Sequence, residues 1–366
     1  MPISIIRPSI RRKDMDSVLT CMVSDRLGPG ELLQDFGKNL SSLFSGTLGI
    51  AVREYARAID LAFQALSCEE GISVLISPLA PDSYREVLEA SGFTAVYGDV
   101  DPADGTLDIA AALERIQEQS IDVLVSTAPL GIMPDLTPVL ELGVPVIEDV
   151  SHCLGAKRGE VSAGSSGRVV VMSLEPDDII TTGGGAAVIA RGPKERAALK
   201  RAIDGASSFS LLPDMNAALG IAQLKELPRY LARRSEIAER FAAQVLRSSR
   251  HRGLVTPATE GAAGHLYPVL LNSSVKDVIA YAKKNDVEVI PAFDDSIIAA
   301  GERRSAEASE DGTVTDQSSD GDSRLLSAEQ FPSAYSLFLR CVLFPLYPSL
   351  TNREVEHVGK VLSTLP

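Results

Sequence analysis

Three side chains capable of acid–base chemistry stand just after two apolar runs of this sequence. Asp149 directly follows one run, His152 lies three residues later, and Asp178 lies shortly after a second run that ends at Met172. Two carboxylates and an imidazole can move protons near neutral pH or bind a metal ion. Because a lone histidine is more often packed or hydrogen-bonded than catalytic, the spacing alone leaves both a reactive cluster and a structural one open.

Short apolar runs between about residue 50 and residue 190 would position these side chains. The runs do not alternate with polar residues, which is typical of strands buried on both faces of a mainly parallel α/β sheet. Seven strands are predicted, at residues 49–52, 74–76, 94–97, 123–126, 145–148, 169–172 and 186–189. A long helix is predicted over 215–247, and the tail from about residue 255 has the pattern of an α+β unit.

The stretch from Ser173 to Gly185 resembles the cofactor-lysine loop of the DegT/StrS family of sugar aminotransferases. Members of that family have a serine five residues before the lysine and Thr-Thr-Gly three residues after it. Ser173 and Thr181-Thr182-Gly183 match this spacing without a gap. Further matching motifs, which extend the resemblance over nearly the whole chain, lie at Gly98–Pro102, Ile147–Asp149, Gly155–Ala156 and Phe344–Pro348.

The resemblance implies the pyridoxal phosphate (PLP) fold type I, a three-layer α/β/α fold with a smaller C-terminal α+β domain. The predicted division is a large domain at 1–240, including an N-terminal arm, and a small domain at 241–366. A mobile loop is predicted at about 301–323, which is rich in Ser, Asp, Glu and Gly. The resemblance also implies a homodimer with sites at the subunit interface, near the apolar stretch Phe209–Leu212.

Asp178 occupies the position of the cofactor lysine in this motif. PLP is held by a Schiff base to an amine, which a carboxylate cannot form. The resemblance further implies that Asp149 is the carboxylate for the pyridine nitrogen, and that Asp149 and Ser173 are a remnant of the cofactor site. His152 stands where the family has a glutamine, and it is the remaining candidate for a catalytic residue.

The other cofactor contacts of the family are also replaced. The Ser-Gly-Thr that binds the phosphate corresponds to Glu54-Tyr55-Ala56, the stacking aromatic residue to about Pro81, and the partner's Asn-Tyr-Arg to Phe209-Ser210-Leu211. Without the glycine the backbone approaches a phosphate less closely, and Glu54 would repel it. Because each hydrogen bond to a charged group is worth about 1.5–3 kcal/mol, no bound cofactor is expected.

Three functions remain open at this point. The first is a pseudoenzyme that keeps the fold and acts as a binding or regulatory subunit, with a nucleotide sugar as a candidate ligand. The second is a PLP- or PMP-dependent sugar aminotransferase of polysaccharide or amino-sugar biosynthesis, which would use a displaced amine such as that of Lys157. The third is an altered enzyme in which Asp149, His152 and Asp178 form an acid–base or metal cluster.

Composition restricts the class of partner. The net charge of −14 over 366 residues argues against binding to nucleic acid or to an anionic membrane. There is no run of 18 apolar residues. The four cysteines are far apart and lack the spacing of metal ligands, so no metal site is predicted from them, and a reducing compartment, the cytoplasm, is expected.

Overall fold

A seven-stranded mixed sheet lies at the centre of the large domain. The computed structural model describes residues 2–205, 207–248, 250–255, 259, 261–310 and 326–366. The first nine strands are β1 (Leu48–Val52), β2 (Ser73–Ile76), β3 (Thr94–Tyr97), β4 (Val123–Ser126), β5 (Val146–Asp149), β6 (Lys157–Arg158), β7 (Val161–Ser162), β8 (Val169–Ser173) and β9 (Ala186–Ala190). The sheet order is β1-β9-β8-β5-β4-β2-β3, while β6 and β7 pair only with each other. All neighbours run parallel except those of β9, so the predicted strands and their mainly parallel arrangement are confirmed.

Helices cover both faces of this sheet. They are α1 (Arg12–Val23), α2 (Glu31–Leu43), α3 (Tyr55–Ala65), α4 (Asp82–Ala90), α5 (Ile109–Glu118), α6 (Thr137–Glu141), α7 (Pro193–Asp204) and α8 (Asp214–Ser248). Successive side chains of β8 point to opposite faces. Val169 and Val171 pack in the core beside α3, whereas Val170 and Met172 pack in the core beside α2 and α8. The structure therefore has the three α/β/α layers that were predicted.

The long helix α8 connects the two parts of the chain. It passes Pro228 without ending, and the predicted domain boundary at 240/241 falls inside it, so that boundary stays a prediction. At its N-terminus the carboxylate of Asp214 accepts hydrogen bonds from the backbone N–H groups of Gly30 and Leu33, each at 2.8 Å. Because these groups lie at the start of α2, Asp214 caps one helix from the first turn of another.

A four-stranded antiparallel sheet forms the C-terminal unit. Its strands are β10 (Arg252–Gly253), β11 (Tyr267–Leu270), β12 (Ile290–Pro291) and β13 (Cys341–Phe344), in the order β10-β11-β13-β12. The helices are α9 (Val275–Lys284), α10 (Ile297–Glu310), α11 (Pro332–Arg340) and α12 (Asn352–Ser363). The N-terminal arm joins this unit, because Ile3 forms a parallel bridge with Val287. None of the helices in the described ranges is both long and apolar enough to cross a membrane.

The segment predicted as a mobile loop at 301–323 is helical at its start. Residues 301–310 continue α10, whose first turns are anchored by the buried side chains of Ile297 and Ile298. The Ala, Glu and Arg residues that follow are good helix formers, so the low apolar content of this stretch does not end the helix. The rest of the predicted loop, 311–323, lies outside the described residues.

Candidate functional site

A cavity of about 380 Å³ lies at the carboxyl ends of β4, β5 and β8. We call it the site cavity; it is lined by Tyr55, Pro81, Asp82, Ser83, Glu86, Thr127, Ala128, Pro129, Asp149, Ser151, His152, Ser173, Glu175, Asp177, Asp178, Asp295 and Arg303. The structure thus brings together the four residues that the sequence singled out, Asp149, His152, Ser173 and Asp178. Crevices at the carboxyl ends of parallel strands are where open α/β sheets bind ligands.

The carboxylate of Asp149 is enclosed by four donors of the protein itself. Its Oδ2 accepts hydrogen bonds from the hydroxyl of Tyr55 and from that of Tyr84, the latter at 2.8 Å. Its Oδ1 accepts from the backbone N–H and the hydroxyl of Ser151, at 2.9 and 2.6 Å. All four of these hydrogen bonds to Asp149 are made within the protein, and only 5% of the residue is exposed.

The two tyrosines approach Asp149 from different helices. Tyr55 begins α3, and Tyr84 lies in the first turns of α4, where it is fully buried. Their rings meet edge to face at 87°, with centroids 6.1 Å apart. Burial of each hydroxyl and the charge of Asp149 raise the pKa of both tyrosines well above the usual value. Both phenols therefore remain protonated and act as donors.

Asp178 also lines the site cavity and is 9% exposed. Its Oδ2 accepts a hydrogen bond from the backbone N–H of Glu175 at 2.7 Å. Burial raises the pKa of Asp178 to about 7, although the charge of His152 and a hydrogen bond with Ser173 oppose this rise. Asp178 is thus a carboxyl group that changes its protonation state near neutral pH.

A buried arginine and a pair of stacked histidines lie behind Asp178. Arg234, 4% exposed, donates through Nη1 to the carbonyl oxygens of Gly264, His265 and Leu346, at 3.0, 2.6 and 2.5 Å. Burial lowers the pKa of Arg234 to about 10, and the charge of Asp178 opposes this. The rings of His152 and His265 stack with centroids 4.1 Å apart, and Nδ1 of His152 lies 3.1 Å from the carbonyl oxygen of Pro129.

Arg57 lies outside the set of residues that line the site cavity, and it forms an ion pair with Asp60 on its own helix. Of the apolar stretch expected at a subunit boundary, Phe209 is 82% exposed, but Leu212 is buried in the core. The described residues contain no group of three or more His, Cys, Asp or Glu side chains placed to hold a metal ion, so the metal form of the altered-enzyme hypothesis has no ligand set there.

The residues that surround the cavity do not fit PLP. No lysine is among the cavity-lining residues, all of which are described, and Lys157 is exposed on the β6–β7 hairpin. Glu54 stands at the N-cap of α3, where its negative charge would oppose a phosphate group at that helix N-terminus. Tyr55 and Tyr84 already occupy Oδ2 of Asp149, the carboxylate that was expected to hold a pyridine nitrogen.

Sequence reasoning missed Tyr84, Arg234 and His265. For Arg234 a signal was available, because it replaces an apolar residue in the buried stripe of α8 that includes Tyr230, Ile237 and Phe241. A charged residue in such a stripe must find hydrogen-bond acceptors in the core. Tyr84 and His265 carried no comparable signal.

Comparison with known proteins identifies the family of this chain. The model of the DegT/DnrJ/EryC1/StrS aminotransferase family matches residues 8–363. The chain belongs to this family. It is 24% identical over 283 residues to a UDP-4-amino-4,6-dideoxy-N-acetyl-beta-L-altrosamine transaminase of Campylobacter jejuni. The matched residues cover 72% of this chain and 75% of that protein. It is also 24% identical to the spore coat polysaccharide biosynthesis protein SpsC of Bacillus subtilis, over 96% of this chain and 94% of that protein.

Solved structures of the family share the fold. The structure of a putative sugar aminotransferase from Streptococcus pneumoniae, in its PMP form, aligns with a TM-score of 0.85 at 17% identity, over 99% of this chain and 97% of that chain. PseC of Helicobacter pylori, an aminotransferase, aligns with a TM-score of 0.83 at 17% identity, over 99% of this chain and 98% of that chain. The predicted PLP fold type I architecture, with its C-terminal small sheet, is therefore confirmed.

Proposed function

We propose that this member of the sugar aminotransferase family is a pseudoenzyme that binds a ligand in the site cavity without forming a PLP Schiff base. The proposal rests on the hydrogen bonds that Tyr55 and Tyr84 donate to Asp149, because they occupy the carboxylate oxygen that was expected to bind the pyridine nitrogen of PLP. The phenolic O–H groups provide the donors that a protonated pyridine nitrogen would otherwise supply. Asp149 then acts as a structural acceptor that joins α3, α4 and β5.

The contacts of Asp178 support the same proposal. In this view Asp178 stands at the position where family members carry the lysine. Its carboxylate accepts a hydrogen bond from the backbone N–H of Glu175, and its charge partly opposes the lowering of the Arg234 pKa by burial, so it belongs to the local hydrogen-bond and charge arrangement. A lysine there would place a second cation near Arg234 and would lose that hydrogen bond.

An aminotransferase is the second candidate, and the comparisons favour it. Relatives that match most of this chain are named as transaminases, and the family model spans nearly its full length. Such an activity requires an amine for the cofactor. Lys157 is the displaced amine considered above, but it would have to move from the exposed hairpin into the site cavity.

Incubation with PLP followed by borohydride reduction separates the two candidates. We expect the purified protein to show no Schiff-base absorbance beyond that of scattered surface lysines, and no stoichiometric pyridoxyl label on any one lysine in peptide mass maps. The Asp178→Lys variant is expected to behave in the same way, because Glu54 and Tyr55 still oppose the cofactor. A single fully labelled lysine in the unmodified protein, lost in Lys157→Arg, would establish the aminotransferase instead.

We further propose that the chain forms a homodimer, as the family resemblance implies. Met15, Leu19 and Met22 line one face of α1 and are 50%, 54% and 48% exposed, and Phe209 is 82% exposed. An unpartnered apolar face of this kind is typical of an interface, and obligate interfaces bury more than about 2,000 Å².

Light scattering tests the assembly. We expect a particle of about twice the chain mass of 38.9 kDa, since the α1 face is covered in a dimer. Leu19→Glu should shift the equilibrium toward monomer, whereas Leu339→Glu, a matched change at an exposed leucine of α11, should not. A monomer at micromolar concentration in the unmodified protein would contradict the proposal.

A further inference from the structure

A second, much smaller cavity lies between the N-terminal arm, the loop after β8, helix α8 and the loops before β11 and after β13. We call it the inner cavity. Asp177 and Asp178 line both the inner cavity and the site cavity, so the two are neighbours. The volume of the inner cavity is about 10 Å³, which is room for one water-sized molecule or monatomic ion.

Four side chains that line the inner cavity have a buried polar atom without a hydrogen-bond partner among the described residues. The atoms are Oγ of Ser9, Nε of Arg234, Nδ1 of His265 and Oη of Tyr347. The last three residues are 4%, 5% and 3% exposed. The described part of the chain contains nine such atoms, so nearly half of them belong to this one small cavity. Because buried polar atoms are nearly always hydrogen-bonded, this concentration indicates a bound species.

Hydrogen bonds hold the other three residues around Arg234. Its Nη1 donates to the carbonyl oxygen of His265 at 2.6 Å, and to that of the residue directly before Tyr347 at 2.5 Å. Tyr230 lies four residues before Arg234 on the same face of α8, and its hydroxyl donates to the carbonyl oxygen of Ser9 at 2.7 Å. The backbone on three sides of the inner cavity is therefore fixed close to the guanidinium group.

The four atoms have the chemistry of an anion site. Nε of the guanidinium and the two hydroxyls carry hydrogens, and Nδ1 of a neutral imidazole can carry one. Burial lowers the pKa of Arg234 to about 10, so the guanidinium stays charged at neutral pH. Burial lowers the pKa of His265 well below the usual value, so that ring is neutral. Within the described ranges Arg234 forms no ion pair, and a buried cation of this kind requires a counter-charge.

We propose that the inner cavity binds a chloride ion, held by the guanidinium of Arg234, the hydroxyls of Ser9 and Tyr347, and Nδ1 of His265. A monatomic anion accepts hydrogen bonds from every direction and donates none, which matches four donors around a volume of about 10 Å³. Phosphate and carboxylate ligands are too large for this space. A water molecule fits the volume but supplies no charge to offset that of Arg234. The inference does not depend on the pseudoenzyme proposal, because it concerns a different cavity.

The bound chloride and the carboxylate of Asp178 are alternative counter-charges for Arg234. Burial raises the pKa of Asp178 to about 7, so its negative charge develops near neutral pH and then repels an anion in the inner cavity. His152 faces Asp178 from the site cavity, and its charge opposes that rise. The other charged or titratable residues of the inner cavity are Arg7 and Asp177, which are exposed and screened by solvent, and His265, which is neutral. Chloride should therefore bind more tightly below the pKa of Asp178 than above it.

Thermal unfolding in sodium chloride and in sodium gluconate at equal concentration tests the proposal, because gluconate is too large for the inner cavity. At about pH 6 and about 200 mM salt, we expect a Tm at least about 2 °C higher in chloride, and a smaller shift at about pH 8. Tyr347→Phe removes one donor and should reduce the shift to less than about half. Tyr267→Phe is the matched control, since its buried hydroxyl also lacks a partner among the described residues but lies outside the inner cavity. It should leave the shift unchanged.

Bromide locates the ion directly. In crystals grown with sodium bromide, we expect an anomalous difference peak within hydrogen-bond distance of Nε of Arg234 and Oη of Tyr347. Absence of that peak from the inner cavity would assign a water molecule there and overturn the proposal. Equal Tm values in the two salts, or an equal loss of the shift in both tyrosine variants, would overturn it as well. Asp178→Asn cannot ionise and should keep the full chloride shift at about pH 8; a shift that still falls there would show that Asp178 does not compete with the ion.

Discussion

Replacement of Asp149 by alanine is expected to lower the free energy of unfolding by about 3–5 kcal/mol, because two buried hydroxyls would lose their acceptor. Tyr84 is fully buried and cannot turn its hydroxyl to solvent, and the side chain of Ser151 would also lose its partner. Each unsatisfied buried donor costs about 1–3 kcal/mol. Urea denaturation monitored by circular dichroism at neutral pH measures the difference.

Matched variants separate the contributions to this network. Tyr55→Phe and Tyr84→Phe each remove one donor and leave the ring, so each should cost about 1 kcal/mol. Asp149→Asn keeps one acceptor oxygen and should cost less than the alanine change. An Asp149→Ala variant as stable as the unmodified protein would show that Asp149 is not the structural acceptor of these hydroxyl groups.

The strands of the large sheet were predictable because strands that are buried on both faces appear in the sequence as short apolar runs. The helices α1 and α2 were not predicted. In α1 the buried residues are Asp14 and Cys21, so the helix has no apolar stripe that faces the core of this chain. Residues 301–310 of α10 were predicted as loop because they are mostly polar, although polar residues such as Glu and Arg form helices readily.

The candidate site was predictable only in part. The proximity of Asp149, Ser173 and Asp178 follows from strand ends that meet at one edge of the sheet, and from the family resemblance. The contacts that define their roles span long sequence distances. Tyr84 and Tyr55 lie 65 and 94 residues from Asp149, and no local pattern fixes where a tyrosine hydroxyl will point. Arg234 likewise binds carbonyl groups 30 to 112 residues away.

The variant Asp178→Asn is expected to gain stability relative to the unmodified protein as the pH rises from about 4 to about 8. Burial raises the pKa of Asp178 to about 7 from a usual value of 3.8. The folded state therefore favours the protonated acid, and the stability that this carboxyl contributes at low pH is lost as it ionises between those two pKa values. Because one pKa unit corresponds to about 1.4 kcal/mol, the difference between the two proteins should change by roughly 4 kcal/mol over this interval.

Asparagine cannot ionise, but its side-chain oxygen can still accept the hydrogen bond from the backbone N–H of Glu175, so the comparison isolates the charge of Asp178. The neighbouring change Asp177→Asn is the control, because it removes an adjacent carboxylate whose side chain is exposed. Urea denaturation of all three proteins at several pH values gives the two difference curves. A flat curve for Asp178→Asn would mean that Arg234 and His152 hold Asp178 ionised throughout, and the carboxylate would then be a permanent counter-charge of the buried arginine rather than a group that titrates near neutral pH.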